Sequence, residues 1–120
     1  MGRLSRNKGK RGELELVSLL RDRYGVPARR TSPLQAGDPR AAGDVWIHDQ
    51  LWLETKRGKQ PRIRAALAQA EADCGERVPV AITRADRDQW IVTMGLDDWI
   101  DLYLAWRETD ETAMRQTNKG

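Results

Sequence analysis

Glu54-Thr55-Lys56 is the triplet in this 120-residue chain best suited to chemistry, and Asp44 precedes its first member by ten residues. In an extended strand, residues two apart point to one face, so Glu54 and Lys56 would stand side by side. If Asp44 opens the neighbouring strand, two carboxylates and an amine meet at one spot. Carboxylate oxygens suit a hard divalent cation. Such a cation stabilises charge on a phosphate and activates water, while an adjacent lysine can position that water. This is the combination that metal-assisted phosphodiester hydrolysis requires. A Glu-x-Lys triplet alone is common, and its plain alternative is an exposed strand with an ordinary ion pair. The acid on the preceding run makes the pattern more specific.

A third carboxylate enters through helical periodicity. Residues 11 to 24 read as a helix in which Leu16, Val17, Leu20 and Tyr24 share a face, with Gly25 as the C-terminal stop. At ~100° per residue Glu13 falls inside that face, in line with Val17, Leu20 and Tyr24, and Glu15 points the opposite way. A carboxylate on a buried stripe is costly unless it has a partner. The competing reading is a frayed first turn in which Glu13 favours the helix dipole. Glu13, not Glu15, is the candidate.

The elements that must position these groups follow in order. Pro27 to Thr31 is a short extended segment, and residues 32 to 43, rich in Pro, Gly and small residues, form a loop. Asp44 to His48 and Leu51 to Arg57 read as two strands joined tightly at Asp49 and Gln50. Arg62 to about Glu76 is an Ala-rich helix with Pro61 at its start. Val78 to Thr83 and Gln89 to Met94 are strands separated by a polar turn, and Leu96 to about Arg107 is a third helix. The order α-β-β-β-α-β-β-α implies an α/β fold, a mixed central sheet flanked by helices. Residues 1–10 are expected to be a flexible basic segment, 11–108 one domain, and 109–120 a polar, unfolded tail.

The two central strands constrain each other. Asp44, Glu54 and Lys56 share a face only if paired residue numbers sum to an even value. A plain two-residue turn at Asp49-Gln50 gives an odd sum and sends Asp44 to the wrong face. The pattern therefore requires a three-residue connection or a bulge. Asp38, in the loop, is the alternative ligand if Asp44 faces away.

Composition narrows the function class. The pI is near 9.3 although the net charge is only +3, and Arg3, Arg6, Lys8, Lys10 and Arg11 all precede the first acid. Such clustering attracts polyanions, against the alternative of a solvated tail. One histidine and one cysteine, Cys74, argue against zinc sites and against an internal disulfide. No run approaches the roughly 18 apolar residues of a membrane span. The polar start lacks a secretion segment, so the expected setting is a reducing cytoplasm. Trp90, Trp99 and Trp106 fit a core or a dimer interface. Trp46 and Trp52 share the Glu54 face and either stack on a base or wall the site, or lie buried under the first helix. His48, at a strand end, fits a surface role.

At Gly9-Lys10-Arg11-Gly12-Glu13, Arg29-Arg30-Thr31-Ser32, Gly43-Asp44 and Glu54-Thr55-Lys56 the chain resembles the PD-(D/E)xK nuclease superfamily. Within that superfamily it is similar to the small archaeal-type and phage-borne Holliday junction resolvases. The resemblance covers residues 8 to 84 and departs from the motif at Gly43, where the name has proline. It implies a restriction-endonuclease-like αβββαβ core in which Asp44, Glu54 and the Thr55 carbonyl bind Mg2+, with Mn2+ as a substitute. Lys56 would support the attacking water, and Glu13 would complete the site directly or through water. Lys8, Lys10, Arg11, Arg29, Arg30 and Ser32 would contact DNA, with Arg57 and Lys59 as further candidates. Gln69 lies where related nucleases place a glutamine near the site, or is a surface glutamine. Phosphate contacts of this kind position DNA without reading its sequence.

The function implied is hydrolysis of branched DNA by a homodimer in a bacterial or phage-infected cytoplasm, two active sites making paired nicks. The alternatives are a nuclease of the same fold acting on flaps, forks or nicked duplex, and a non-catalytic nucleic-acid-binding or inhibitor protein.

Overall fold

A computed structural model describes residues 2–31 and 43–118, with side chains described for 10–31 and 43–116. Its elements are α1 (Gly2–Tyr24), β1 (Arg29–Arg30), β2 (Val45–Trp46), β3 (Leu51–Gly58), α2 (Ile63–Asp73), β4 (Val78–Ala85), β5 (Ile91–Thr93) and α3 (Leu96–Asn118). The fold is α/β, as expected. Its five strands lie in the order β1-β2-β3-β4-β5. β3 and β4 are parallel, and every other pair is antiparallel. Parallel neighbours need a crossover, and α2 supplies it.

Alternation along β3 and β4 assigns the two sheet faces. Leu53, Val80 and Ile82 join Val45, Leu16, Val17 and Ala28 in one buried cluster, which seats α1. Ala81 joins Ala66 and Leu67 in a second cluster, which seats α2 on the opposite face. Small residues on α2 (Ala66 and Ala70 are fully buried) let it approach the sheet closely. Glu54 and Lys56 point to the α2 side of β3, and Thr55 and Arg57 to the α1 side.

Both terminal helices run further than their periodicity suggests. α1 begins at Gly2 rather than at residue 11, because Arg, Leu and Lys are sound helix formers and no proline precedes Gly25, which outweighs the cost of Gly9 and Gly12. Gly25, at φ +67°, closes it, and Val26 N–H returns to the Leu20 carbonyl. The buried stripe ends at Leu20, since Tyr24 is 60% exposed beneath the Arg23 guanidinium. α3 continues to Asn118 through the stretch expected to be unfolded. No Gly or Pro interrupts residues 96–118, so propensity carries the helix on despite its polarity.

Candidate active site

The register of β2 against β3 decides whether Asp44 reaches Glu54. Val45 lies opposite Leu53, an even register. Residues 47–50 turn the chain, with Leu51 N–H bonded to the His48 carbonyl. Val45 is therefore buried beneath α1, and its neighbour Asp44 is delivered to the Glu54 face.

Asp44 is held from several sides. Its N–H donates to the Leu53 carbonyl at 2.8 Å. The Thr31 hydroxyl donates to the carbonyls of Gly43 and Asp44, and the Thr31 N–H also reaches the Asp44 carbonyl. Its carboxylate accepts the Thr55 N–H through Oδ2 at 2.9 Å. Gly43 makes this approach possible. At φ +86° a Cβ would lie 2.4 Å from the Leu53 carbonyl oxygen, and proline, fixed near −65°, cannot adopt that backbone at all. The backbone at this position therefore calls for glycine.

Glu54 is 3% exposed and lies against Asp44. Burial first, and the neighbouring Asp44 carboxylate second, push its carboxyl up to about 7. The Trp52 indole N–H donates to Glu54 Oε1 at 3.1 Å and, with the nearby Lys56 ammonium, pulls the other way. Lys56 is exposed. Thr83, beside Lys56 in the β3–β4 register, is 1% exposed, and its hydroxyl has no partner among the described residues. Trp52 lies on the Glu54 face, where alternation puts it, and bonds Glu54 itself. Thr83 is the addition that only register reveals, since nothing in the sequence pairs it with Lys56.

Asp44, Glu54 and Lys56 thus converge, whereas Glu13 does not enter their cluster. Its carboxylate takes Arg30 Nε. No group of three or more His, Cys, Asp or Glu side chains that could hold a metal forms among the described residues. Glu13 does sit within the buried arc of α1, with its side chain 15% exposed. Glu15 does not face outward as its wheel position suggests. It lies on the flank of that arc and bonds both Arg57 of β3 and Arg84 of β4. The long guanidinium arms reach around the flank, which a helical wheel cannot represent.

The proposed DNA contacts divide similarly. Lys10, Arg11 and Arg29 are exposed, with the Arg29 guanidinium 4.7 Å above the Trp46 ring. Arg30 is engaged by Glu13, and Arg57 by Glu15 and Asp86. The side chain of Lys8 and residues Ser32 and Asp38 lie outside the described residues. Gln69, exposed on α2, lines the same cavity as Lys56. Trp46 ties its indole N–H to Asp49, and exposed His48 accepts the Gln50 N–H.

The donor set fits a hard divalent cation. Two carboxylates forced together, with Glu54 held up by burial and by Asp44, form the pocket whose conflict an oxygen-coordinated ion relieves. Comparison of the chain with models of known protein families, with curated proteins and with solved structures returns no match.

Proposed function

We propose that this chain is a divalent-metal-dependent endonuclease of the PD-(D/E)xK kind that hydrolyses phosphodiester bonds in branched DNA as a homodimer. The observation that carries the reading is the contact of Asp44 and Glu54 beside Lys56, with Glu54 held up near 7. A carboxyl that titrates there is poorly placed for a purely structural role, because its ionised form is disfavoured without a counter-charge.

Asp44 and Glu54, with the Thr55 carbonyl, would hold Mg2+ or Mn2+, which supplies charge neutralisation at the phosphate and a more acidic water. Every other part of the task falls to the chain itself. The Thr55 N–H fixes one Asp44 oxygen and so aims the other. Trp52 fixes Glu54 in the same way. Lys56, unpaired among the described residues, has three N–H donors for the attacking water or a phosphoryl oxygen. Thr31 acts as a positioning residue, since it touches only the backbone that carries Asp44. Exposed Lys10, Arg11 and Arg29 supply the non-specific attraction for the DNA backbone.

Support for a homodimer comes from α3. Leu96, Trp99, Tyr103 and Trp106 recur at alternating three- and four-residue steps, the spacing of a coiled-coil seam. All four are exposed, Leu96 by 72% and Trp106 by 63%. Ile100 and Met114, also exposed, fall on the same side of the helix and widen that apolar seam. The testing experiment compares a labelled four-way junction with linear duplex and with a flap, in Mg2+ and in EDTA. Preferential, Mg2+-dependent cutting of the junction is expected. Equal cutting of all three would remove the branched-DNA part of the reading.

A further inference from the structure

Past Lys56, the end of β3, the turn that follows it and the first two turns of α2 line an open cavity of about 320 Å3. Its lining is chemically divided. Lys56, Lys59 and Arg62 are exposed cations that form no salt bridge among the described residues, Lys56 feeling Glu54 only at longer range, in contrast to Arg57, which is committed to Glu15 and Asp86. Pro61, Ala65 and Ala66 form an apolar wall, and Gln69 adds an amide that can both donate and accept.

Cations beside an apolar wall with one amide match the three parts of a nucleotide: phosphate, flat base and base edge. Size restricts the match further. Small-ligand pockets begin at about 300 Å3, room for one nucleotide taken out of the stack. We propose that this cavity receives a single unstacked nucleotide of the DNA strand next to the cleaved phosphate. Its place beside the cut rests on the nuclease reading through Lys56, but binding in the cavity requires no hydrolysis. Taking a base out of the stack costs a few kcal/mol, and least where the base is already unpaired. The cavity therefore favours DNA that offers an unpaired nucleotide, as junction centres, flaps and bulges do.

The test is titration of the full chain in EDTA with deoxyadenosine 5′-monophosphate and, separately, with inorganic phosphate. The nucleotide should bind at least ten-fold more tightly than phosphate. Ala65→Trp, which fills the cavity from an exposed position, should weaken the nucleotide at least ten-fold and leave phosphate unchanged. Arg62→Gln, also at an exposed position, should weaken both. Duplex with one unpaired nucleotide should bind more tightly than perfect duplex, and Ala65→Trp should erase that difference. A nucleotide no tighter than phosphate overturns the proposal, and so does undiminished nucleotide binding by both variants. A chain that binds the nucleotide but never cleaves DNA with Mg2+ refutes the nuclease reading alone. One that cleaves but ignores the nucleotide refutes the cavity alone.

Discussion

At the scale of single residues, Glu54 carries the strongest electrostatic conflict in the chain. Its folded value of about 7 lies above the ordinary 4.5, so its neutral form is the one that stabilises the fold. That contribution is complete below about pH 4.5 and is lost as pH rises through 7, by up to roughly 3 kcal/mol. Metal-free protein should therefore melt at progressively lower temperature between pH 5 and 8. Glu54→Gln, which keeps an acceptor for Trp52 without the charge, should flatten the slope and melt higher than the native chain at pH 8. Parallel melting curves for the two proteins across that range would refute the assignment. Gly43 makes a second residue-level case. Gly43→Ala puts a Cβ 2.4 Å from the Leu53 carbonyl oxygen at φ +86°, so the Asp44 segment must move. A loss of at least about 2 kcal/mol in a denaturant titration is expected.

At the scale of elements, α1 and the β2–β3 pair show what a sequence reveals. The alternation of Asp44, Glu54 and Lys56 with Val45 and Leu53 was enough to require an even register, and Val45 does lie opposite Leu53. Element types and order were equally legible, because each segment's period is set by its own burial. The surroundings of Glu13 and Glu15 were not. A wheel gives direction from the helix axis, whereas Arg30, Arg57 and Arg84 reach the two carboxylates from strands distant in sequence. The ends of α1 and α3 were missed for a related reason, since polar helix formers without an apolar stripe give no periodic signal. One consequence reverses the simple expectation that Glu15 is a silent surface residue. Glu15→Gln breaks its ion pairs with both Arg57 and Arg84, and should lower stability by about 1 kcal/mol once solvent screening of these partly exposed groups is allowed for. A melting temperature unchanged within error would show the network to be inert.

At the scale of the whole molecule, the radius of gyration is 16.4 Å, larger than the ~14 Å of a compact domain of this length. The excess matches a 23-residue α3 whose apolar side chains are exposed along its length. Trp106→Glu should shift the mass in sedimentation equilibrium from dimer to monomer while leaving the fold intact, because Trp106 is 63% exposed. A native chain that sediments as a monomer at tens of micromolar would remove the dimer.

The central claim is that Asp44 and Glu54 act as one metal-binding pair in a nuclease. Single-turnover cleavage of a labelled four-way junction in Mg2+ tests it most directly, comparing the native chain with Asp44→Asn and Glu54→Gln and measuring DNA affinity in parallel. Both variants should lose at least about a thousand-fold in rate, as expected when groups acting as a unit are broken singly, while binding DNA as tightly as the native chain or more so. Cleavage by either variant at near-native rate would contradict the account.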